Sequence, residues 1–229
     1  MMVTMTAAAR TIGSLPGEGG RSARDYRAVL ALSRPVVSAL LRVRVEGTLP
    51  HGPLIVAPNH ISYLDPVALG VTLDALGRRP WFLVTPAVVA LPVAGAVMRR
   101  GGCIAAARGS GTQALSQARA VLADGGLVVV YPEGHIAPPG VRIRAKAGLG
   151  LLARLAGADV LPVGQWGMER GTRRLAWARR RRGAIVLGEP VAPPRRGLDR
   201  AFSEEVLAAV RALVPRAREL AGHPPDPQN

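Results

Sequence analysis

The sequence predicts an α/β fold: a single domain with a mostly parallel, mixed β-sheet flanked by helices. Short, continuous apolar runs rich in β-branched residues recur along the chain, as expected for strands buried on both faces of a parallel sheet. Longer segments with apolar residues at helical spacing alternate with these runs, as βαβ units require. The chain has 229 residues, 48% of them hydrophobic, which suffices for one sizeable core. We therefore expect one domain.

The first predicted element is a helix at residues 24–42. Its apolar residues are flanked and interrupted by arginines. This pattern indicates an amphipathic helix that lies in a membrane interface, with Leu30, Val37 and Leu41 inserted among the lipids. An ordinary amphipathic helix packed on the sheet gives the same pattern, so the sequence leaves both interpretations open.

The rest of the domain, residues 43–221, alternates strands and helices. The strands are predicted at residues 54–57, 81–84, 103–107, 127–131, 159–163 and 184–187. The helices are predicted at residues 66–76, 88–98, 111–124 and 146–155, with a final helix that begins near Ser203. The third to fifth strands and the helices between them form a βαβαβ series, whose crossovers should be right-handed.

One segment is long enough to raise the question of a membrane span. Residues 80–98 form a stretch of 19 residues without a charge, which just reaches the length of a spanning helix. Pro86 and Pro92 interrupt this stretch, and proline inside a helix removes a backbone hydrogen bond. We therefore predict a strand, a turn and a short helix here.

The two ends of the chain are predicted to be disordered. Residues 1–23 are rich in small residues and lack the continuous apolar region of a secretory signal, so we expect a disordered lead. Residues 222–229 contain three prolines, which exclude a packed helix or strand and predict a disordered tail.

The composition indicates an anionic partner. The formal net charge of +15 suits nucleic acid, an acidic lipid surface or a phosphorylated substrate. An aromatic content of 3% argues against nucleic acid, because single-strand and RNA binders stack bases on aromatic side chains. Cys103 is the only cysteine, so no intrachain disulfide can form and a reducing compartment is compatible.

Polar side chains follow three of the predicted strands. His60 comes just after the first buried strand, Arg108 directly after strand 103–107, and Glu133 just after strand 127–131. Ligands in open α/β sheets bind outside the carboxyl ends of the strands. We therefore expect these three side chains to converge on one crevice.

His60 and Asp65 form a candidate pair of base and carboxylate. A neutral histidine can accept the proton of an attacking hydroxyl at physiological pH. A carboxylate can bind the other ring nitrogen, fix the tautomer and stabilise the imidazolium. Each residue also has a structural interpretation: Asp65 as the N-cap of a helix that begins at Pro66, and His60 as a loop histidine bonded to a carbonyl.

Four short motifs, taken together, favour the catalytic interpretation. They are His60-x4-Asp65, the run 102–108 that ends in Arg108, Tyr131-Pro132-Glu133-Gly134, and Val160-Leu161-Pro162-Val163. In order and spacing they resemble the four motif blocks of the lysophosphatidic acid and glycerolphosphate acyltransferase family. The similarity runs from about residue 43 to residue 190, includes Lys146 and Gly148, and at Gln165-Trp166-Gly167 resembles actinobacterial members.

The resemblance implies a glycerolphosphate acyltransferase-like fold and a function. An acyl group would move from acyl-CoA or acyl carrier protein to the free hydroxyl of a lysophospholipid acceptor, in phospholipid biosynthesis. His60 would be the general base and Asp65 its orienting carboxylate. The substrate-binding residues would be Asn59, Arg108, Glu133, Gly134, Lys146 and Pro162. We expect no metal and no resident cofactor, since the acyl donor is a co-substrate.

For Arg108 and Asn59 the sequence also allows a purely structural role. The guanidinium of Arg108 matches the oxygens of an acceptor phosphate, although a surface arginine is the simpler interpretation on composition alone. Asn59 could instead cap or brace the loop backbone. The sequence also departs from the family pattern at three places. His135-Ile136 replaces Thr and Arg, Ala107 replaces the Asp or Tyr often found before Arg108, and residues 85–87 replace Lys-x-Glu. These changes lie on the acceptor side and bear on which acceptor is used.

An arginine-rich stretch around Trp177 ends in the run 179–182. A solvated face is the default interpretation, and anionic lipid headgroups are the functional one that we favour. We therefore expect a peripheral or monotopic protein at the cytoplasmic face of the cell membrane, with an anionic membrane surface and no nucleic acid as partner. The alternative is a basic, non-catalytic protein that binds nucleic acid or, as a degenerate family member, lipid. The sequence indicates no oligomeric state.

Overall fold

The structure, a computed structural model, describes residues 21–90, 92–105, 111–136, 143–168, 181–197 and 199–223. Within these ranges the chain forms one mixed sheet of seven strands with helices on both faces, which confirms the predicted α/β class. Most of the predicted lead and tail, residues 1–20 and 224–229, lies outside these ranges.

The elements alternate along the chain much as predicted. The strands are β1 Leu41–Glu46, β2 Leu54–Pro58, β3 Pro80–Val84, β4 Cys103–Ala105, β5 Leu127–Val129, β6 Asp159–Trp166 and β7 Arg181–Leu187. The helices are α1 Arg21–Leu40, α2 Asp65–Ala75, α3 Pro86–Val89, α4 Pro92–Gly101, α5 Gly111–Ala123, α6 Gly148–Ala156 and α7 Asp199–Leu220. None of the helices in the described part of the chain is long and apolar enough to cross a membrane.

The strands run in two directions, which decides what meets at each edge of the sheet. Their order is β1-β7-β6-β2-β5-β3-β4. The five strands from β6 to β4 are parallel, whereas β7 is antiparallel to β6 and β1 is parallel to β7. The carboxyl ends of the five parallel strands therefore share an edge with the amino ends of β1 and β7. We refer to it as the upper edge, marked by Pro58, Trp166 and Arg181.

Each face of the sheet carries a hydrophobic core, because successive strand residues point to opposite sides. In β2, Leu54 and Val56 join the core beneath α1 and α2, whereas Ile55 and Ala57 join the core beneath α5, α6 and α7. All four are buried, and burying one large aliphatic side chain contributes about 1.5–3 kcal/mol. The end of β2, from which the next loop departs, is thus held from both sides.

The predicted helix 24–42 has the wrong boundaries. Residues 21–23, assigned to the lead, form the first turn of α1, and residues 41–46 form the edge strand β1. In β1, apolar residues alternate with arginines and a glutamate, so one side of the strand is charged. Such a strand lacks the continuous apolar run by which the other strands were identified.

The apolar face of α1 is turned into the protein. Leu30, Val37 and Leu41 are only 9%, 5% and 3% exposed. The expectation that these three residues insert among lipids is therefore wrong, because they pack on the domain instead. The other side of α1 exposes Leu32 and Val36.

Polar contacts fasten α1 to α2 and β3. The Tyr26 hydroxyl donates to Asp74 at 2.9 Å, and Arg34 donates to the same carboxylate at 2.6 Å. The guanidinium of Arg79 lies over the rings of Tyr26 and Trp81, at 4.6 and 4.1 Å from their centroids. Cation–π contacts of this kind contribute about 0.5–2 kcal/mol each. The helix is therefore an integral part of the described domain.

Candidate active site

The loop between β2 and α2 carries the candidate base. His60 Nδ1 lies 3.1 Å from Asp65 Oδ2, and the same oxygen accepts the backbone N–H groups of Ile61 at 2.6 Å and Ser62 at 2.8 Å. Asp65 is fully buried, whereas the His60 side chain is 16% exposed. A carboxylate only accepts hydrogen bonds, so in the neutral imidazole Nδ1 carries the hydrogen and Nε2 the lone pair. No hydrogen bond within the described residues involves Nε2.

The spacing of the motif follows from a tight turn. The Ser62 hydroxyl accepts the N–H of Leu64 at 2.9 Å, and the N–H of Asp65 donates to the Ser62 carbonyl at 3.3 Å. These bonds return the chain so that Asp65 meets the ring five residues earlier. The N-cap of α2 is Leu64, without a side-chain hydrogen bond, and Asp65 is the first helical residue. The carboxylate therefore holds the loop before it, and the N-cap interpretation of Asp65 is wrong.

Glu133 connects the loop after β5 to this turn. Its Oε2 accepts the backbone N–H of His60 at 3.1 Å, and its side chain is buried. Burial raises the pKa of Glu133 above its ordinary value, although the hydrogen bond from His60 and the positive charge of Arg211 oppose this rise. Glu133 thus lies at the predicted site, where it supports the backbone of the candidate base.

Tyr131 packs against the imidazole and was not among the predicted site residues. The two ring centroids are 4.2 Å apart with the planes 31° from parallel. Burial, followed by the nearby charge of Asp65, raises the pKa of Tyr131 well above its ordinary value, so the phenol is protonated. The signal was available in the sequence, since Tyr131 opens the third motif. Its ring restricts the orientation of the His60 ring.

Asn59 and Gln165 form a buried clasp beneath the loop. Asn59 Oδ1 accepts the backbone N–H of Gln165 at 2.7 Å, and Asn59 Nδ2 donates to the carbonyl of Gln165 at 3.0 Å. Gln165 Nε2 in turn donates to the carbonyl of Asn59 at 3.0 Å. Both polar atoms of the Asn59 side chain are therefore engaged within the protein. This geometry favours the bracing role of Asn59 over direct contact with substrate.

The predicted acceptor residues Gly134 and Lys146 lie against each other. Gly134 has a positive φ of 70°, and a Cβ placed there would lie 2.5 Å from the Nζ and Cε atoms of Lys146. Only glycine fits this position without strain. Lys146 is exposed, and its backbone N–H donates to the carbonyl of Pro132 at 3.0 Å. The lysine stem therefore covers the loop that carries Glu133.

Three predicted features are placed differently or are outside the structure. Pro162 is buried in the interior of β6, in register with Ala57, because β6 continues beyond the predicted end at residue 163 to Trp166. Arg108 lies outside the described residues, so its role stays a prediction. The same holds for the arginine-rich stretch around Trp177, apart from Arg181 and Arg182 at the start of β7.

The described residues contain no group of His, Cys, Asp and Glu side chains that could hold a metal ion. What they provide is a candidate base with a defined tautomer, a buried carboxylate behind it and an exposed ammonium on the adjoining loop. Such a set can remove a proton from a hydroxyl and attract an anionic group beside it.

Comparisons with known proteins agree with this chemistry. A family model described as Acyltransferase matches residues 41–166, more than half of the chain. Among solved structures, the chain is similar to the 1-acyl-sn-glycerophosphate (LPA) acyltransferase PlsC from Thermotoga maritima, with a TM-score of 0.65 and 20% sequence identity. The match covers 92% of this chain and 86% of that chain, and it shows that the folds are alike. The chain therefore belongs to the acyltransferase family, the lysophosphatidic acid and glycerolphosphate acyltransferases that its motifs resemble.

Proposed function

We propose that the protein transfers a fatty acyl group from acyl-CoA or acyl carrier protein to the free hydroxyl of a lysophospholipid, an acceptor similar to lysophosphatidic acid, in phospholipid biosynthesis. Family membership gives acyl transfer as the reaction class. The observation that supports the mechanism best is the 3.1 Å contact between His60 Nδ1 and Asp65 Oδ2, because it leaves Nε2 as the basic nitrogen.

The reaction needs one base and one acid, and His60 serves as both in turn. Nε2 removes the proton of the acceptor hydroxyl while the hydroxyl oxygen attacks the thioester carbonyl carbon. The tetrahedral intermediate then collapses, its carbon–sulfur bond breaks, and the imidazolium gives the proton to the departing sulfur. During this interval the buried carboxylate of Asp65 stabilises the imidazolium and holds the ring in place.

The phosphate of the acceptor meets a cation on the loop after β5. Lys146 is exposed and lies over Gly134, next to the glutamate that binds the backbone of His60. An ammonium attracts phosphate oxygens as a point charge, and the guanidinium of Arg108 would add a bidentate contact. The acceptor hydroxyl and its phosphate are thus bound by adjacent loops.

The acyl chain has a candidate site beside α2. An apolar cleft lies between α1, α2, α4 and β3. Pro66 and Val67, which follow Asp65 directly, are among the residues that line it. Other apolar lining residues include Leu30, Phe82 and Met98. Ligand sites are lined mainly by hydrophobic side chains, as this cleft is. We assign this cleft to the fatty acyl group.

We infer that the protein works at an anionic membrane surface, and the arrangement of exposed groups supports this inference. Leu32, Val36 and Leu40 are 72%, 50% and 38% exposed and lie four residues apart, on one side of α1. Arg42 of β1 and Arg182 of β7 are exposed register partners at the start of their strands. We refer to these five residues as the lipid-facing patch.

The direction of the strands places this patch at the same edge of the sheet as the loop of His60. The end of α1 and the starts of β1 and β7 lie at the upper edge of the sheet, to which the loop of His60 also belongs. Apolar side chains beside arginines suit the boundary between headgroups and acyl chains of an anionic bilayer. A bilayer bound there lies along the edge that carries the base, where a lysophospholipid can reach it.

The test is mass spectrometry of products. The purified protein is given acyl-CoA or acyl carrier protein loaded with the same chain, together with a panel of lysophospholipids and glycerol 3-phosphate. The proposal expects a diacyl product that requires a lysophospholipid with a free hydroxyl and that disappears with His60→Ala.

Two results would overturn the proposal. If glycerol 3-phosphate is acylated and no lysophospholipid is, the acceptor is a glycerol phosphate without an acyl chain. No product with any pair, from a protein that still binds anionic vesicles or nucleic acid, would instead support the basic, non-catalytic binding protein.

A further inference from the structure

The carboxyl-terminal helix α7 lies beyond residue 166, where the matched family region ends, and yet it reaches the acceptor side of the site. Glu204 Oε1 accepts the backbone N–H of Ala145 at 2.9 Å, and Arg211 donates to the carbonyl of Ile143 at 2.6 Å. These two side chains are seven residues apart, which is about two helical turns and places them on the same side of α7. We propose that Glu204 and Arg211 are positioning residues that hold the segment 143–146, and with it Lys146, at the acceptor site.

The segment is held from two sides. On the side of α7 it makes the two bonds to Glu204 and Arg211, and Ala145 between them is only 4% exposed. On the other side the N–H of Lys146 donates to the carbonyl of Pro132, in the loop of Glu133. Residues 143–146 have no helix or strand of their own. Their path therefore depends on these three hydrogen bonds.

Lys146 needs such support because of its chemistry. It is the only lysine in a sequence whose Lys and Arg residues number 30. Its ammonium sits on a flexible four-carbon stem and lacks the planar fork by which arginine fixes its own geometry. No ion pair to Lys146 is present among the described residues. The backbone of the segment thus sets the region that this charge can reach.

The supporting helix is itself firmly anchored. Arg154 of α6 binds both carboxylate oxygens of Asp199 at 2.7 and 3.0 Å, and the N–H of Gly150 donates to the Ser203 hydroxyl at 3.0 Å. A Cβ at Gly150 would lie 2.1 Å from the carbonyl oxygen of Asp199, so the two helices approach closely. Below this contact Val206 and Val210 enter the core. α7 is a fixed frame for the segment.

Arg211 also connects the acceptor side to the base. Its positive charge lowers the pKa of Glu133, against the raising effect of burial, and the imidazoles of His60 and His135 act in the same direction. Without Arg211 the pKa of Glu133 rises further. A protonated Glu133 is a weaker acceptor for the N–H of His60. Loss of Arg211 therefore alters the pH dependence of turnover as well as acceptor binding.

The kinetic test compares Arg211→Met and Glu204→Ala with the control Arg216→Met. Arg216 lies on the same helix, but its side chain pairs with Glu46 and Glu219 instead. The inference rests on the proposed function for the identity of the acceptor. We expect the first two variants to raise the acceptor KM about tenfold, as for one charge-assisted hydrogen bond, and to leave the donor KM unchanged. Arg211→Met also moves the acidic limb of the pH profile to higher pH. Glu204→Gln, which keeps an oxygen acceptor, should restore the acceptor KM.

A second measurement is independent of activity. Reductive ¹³C-methylation of the purified protein labels Lys146 and the α-amino group only, so one NMR signal reports the position of this side chain. Arg211→Met and Glu204→Ala should shift that signal, and Arg216→Met should not, with melting temperatures measured for each variant. An unchanged Lys146 signal and an unchanged acceptor KM in both variants would overturn the positioning role. If the wild type forms no acylated product, the proposed function fails, and the Lys146 signal still decides this inference.

Discussion

The loop of His60 and helix α1 differ in how far their contacts reach along the chain. In the loop, Asp65 binds the ring of His60 and the backbone of Ile61 and Ser62, which lie three to five residues away. In α1, Tyr26 and Arg34 bind Asp74, which lies 48 and 40 residues away. The loop closes on itself, whereas the orientation of the helix depends on elements that follow it.

This difference explains which predictions from the sequence were right. A contact over five residues is visible as a spacing, so the pairing of His60 with Asp65 could be expected before the fold was known. The side of α1 that faces the domain depends on α2 and β3, and an arginine-flanked apolar pattern is equally compatible with lipid and with protein on that side. Local spacing specifies the pairing of His60 with Asp65, whereas tertiary packing specifies which side of α1 faces the domain.

The largest expected effect tests whether α1 is integral to the domain. Deleting residues 1–40 removes the buried side chains of Tyr26, Leu30 and Val37. At about 2 kcal/mol for each, this loss is about 6 kcal/mol and comparable with the whole stability of a typical domain. We expect the truncated protein to show no cooperative thermal transition by circular dichroism. A truncated protein with the melting temperature of the full chain would show that α1 is a detachable anchor.

The next effect concerns the base itself. His60→Ala should lower kcat by at least about 10²-fold, the lower limit for general base catalysis, with little change in melting temperature. His51→Ala is the matched control, since His51 is exposed in the loop before β2. Product formation is followed by mass spectrometry at saturating substrates. Turnover by His60→Ala at the rate of the control would exclude the proposed mechanism.

Asp65 sharpens the comparison because its roles in the loop can be separated. Asp65→Asn keeps one oxygen that can accept the N–H groups of Ile61 and Ser62, but it loses the negative charge behind the imidazole. Asp65→Ala leaves both N–H groups without their partner, at a cost of about 1–3 kcal/mol each. We expect both variants to lose activity and only the alanine variant to lose several degrees in melting temperature. Equal melting temperatures would mean that water replaces the carboxylate in the turn.

The long-range parts of the site were the parts that the sequence did not reveal. The clasp between Asn59 and Gln165 spans 106 residues, and the bond between His60 and Glu133 spans 73. The motifs place these residues at strand ends, but they do not say which atoms meet. The resemblance implied substrate-binding roles for Asn59 and Glu133, with a bracing role left open for Asn59, whereas their observed partners are backbone groups of the site itself. The boundary of β1 was missed for a related reason, since its pairing with β7 lies far along the chain.

Glu133 gives a pH test of one of these long-range contacts. Burial raises its pKa in the folded protein, so the folded state holds this proton more tightly than the unfolded state. The associated stabilisation is complete below the ordinary pKa of glutamate and is lost as the pH rises through the raised value. Glu133→Gln has no such loss and can still accept the N–H of His60.

The measurement is the difference in melting temperature between Glu133→Gln and the wild type as a function of pH. We expect this difference to increase in favour of the variant between the ordinary and the raised pKa of Glu133. A parallel titration of Glu205→Gln, an exposed glutamate of α7, should show no such trend. A constant difference across this pH range would mean that Glu133 titrates normally and is not buried as described.

The smallest expected effect concerns the exposed side of α1, the side that tertiary contacts leave free for lipid. Leu32 is 72% exposed, so Leu32→Ser should leave the melting temperature unchanged and weaken binding to anionic vesicles roughly tenfold, the loss for withdrawing part of one leucine from an apolar phase. Leu155→Ser is the matched control, because Leu155 is 37% exposed on α6, over the opposite face of the sheet.

Raising the salt from 0.1 M to 1 M shortens the Debye length from about 10 Å to about 3 Å and should weaken the contribution of Arg42 and Arg182 to vesicle binding. The effect of Leu32→Ser should persist at high salt, because burial of an apolar side chain is not screened. If Leu32→Ser and Leu155→Ser bind vesicles equally well, the lipid-facing patch does not bind lipid. The role of α1 is then structural only.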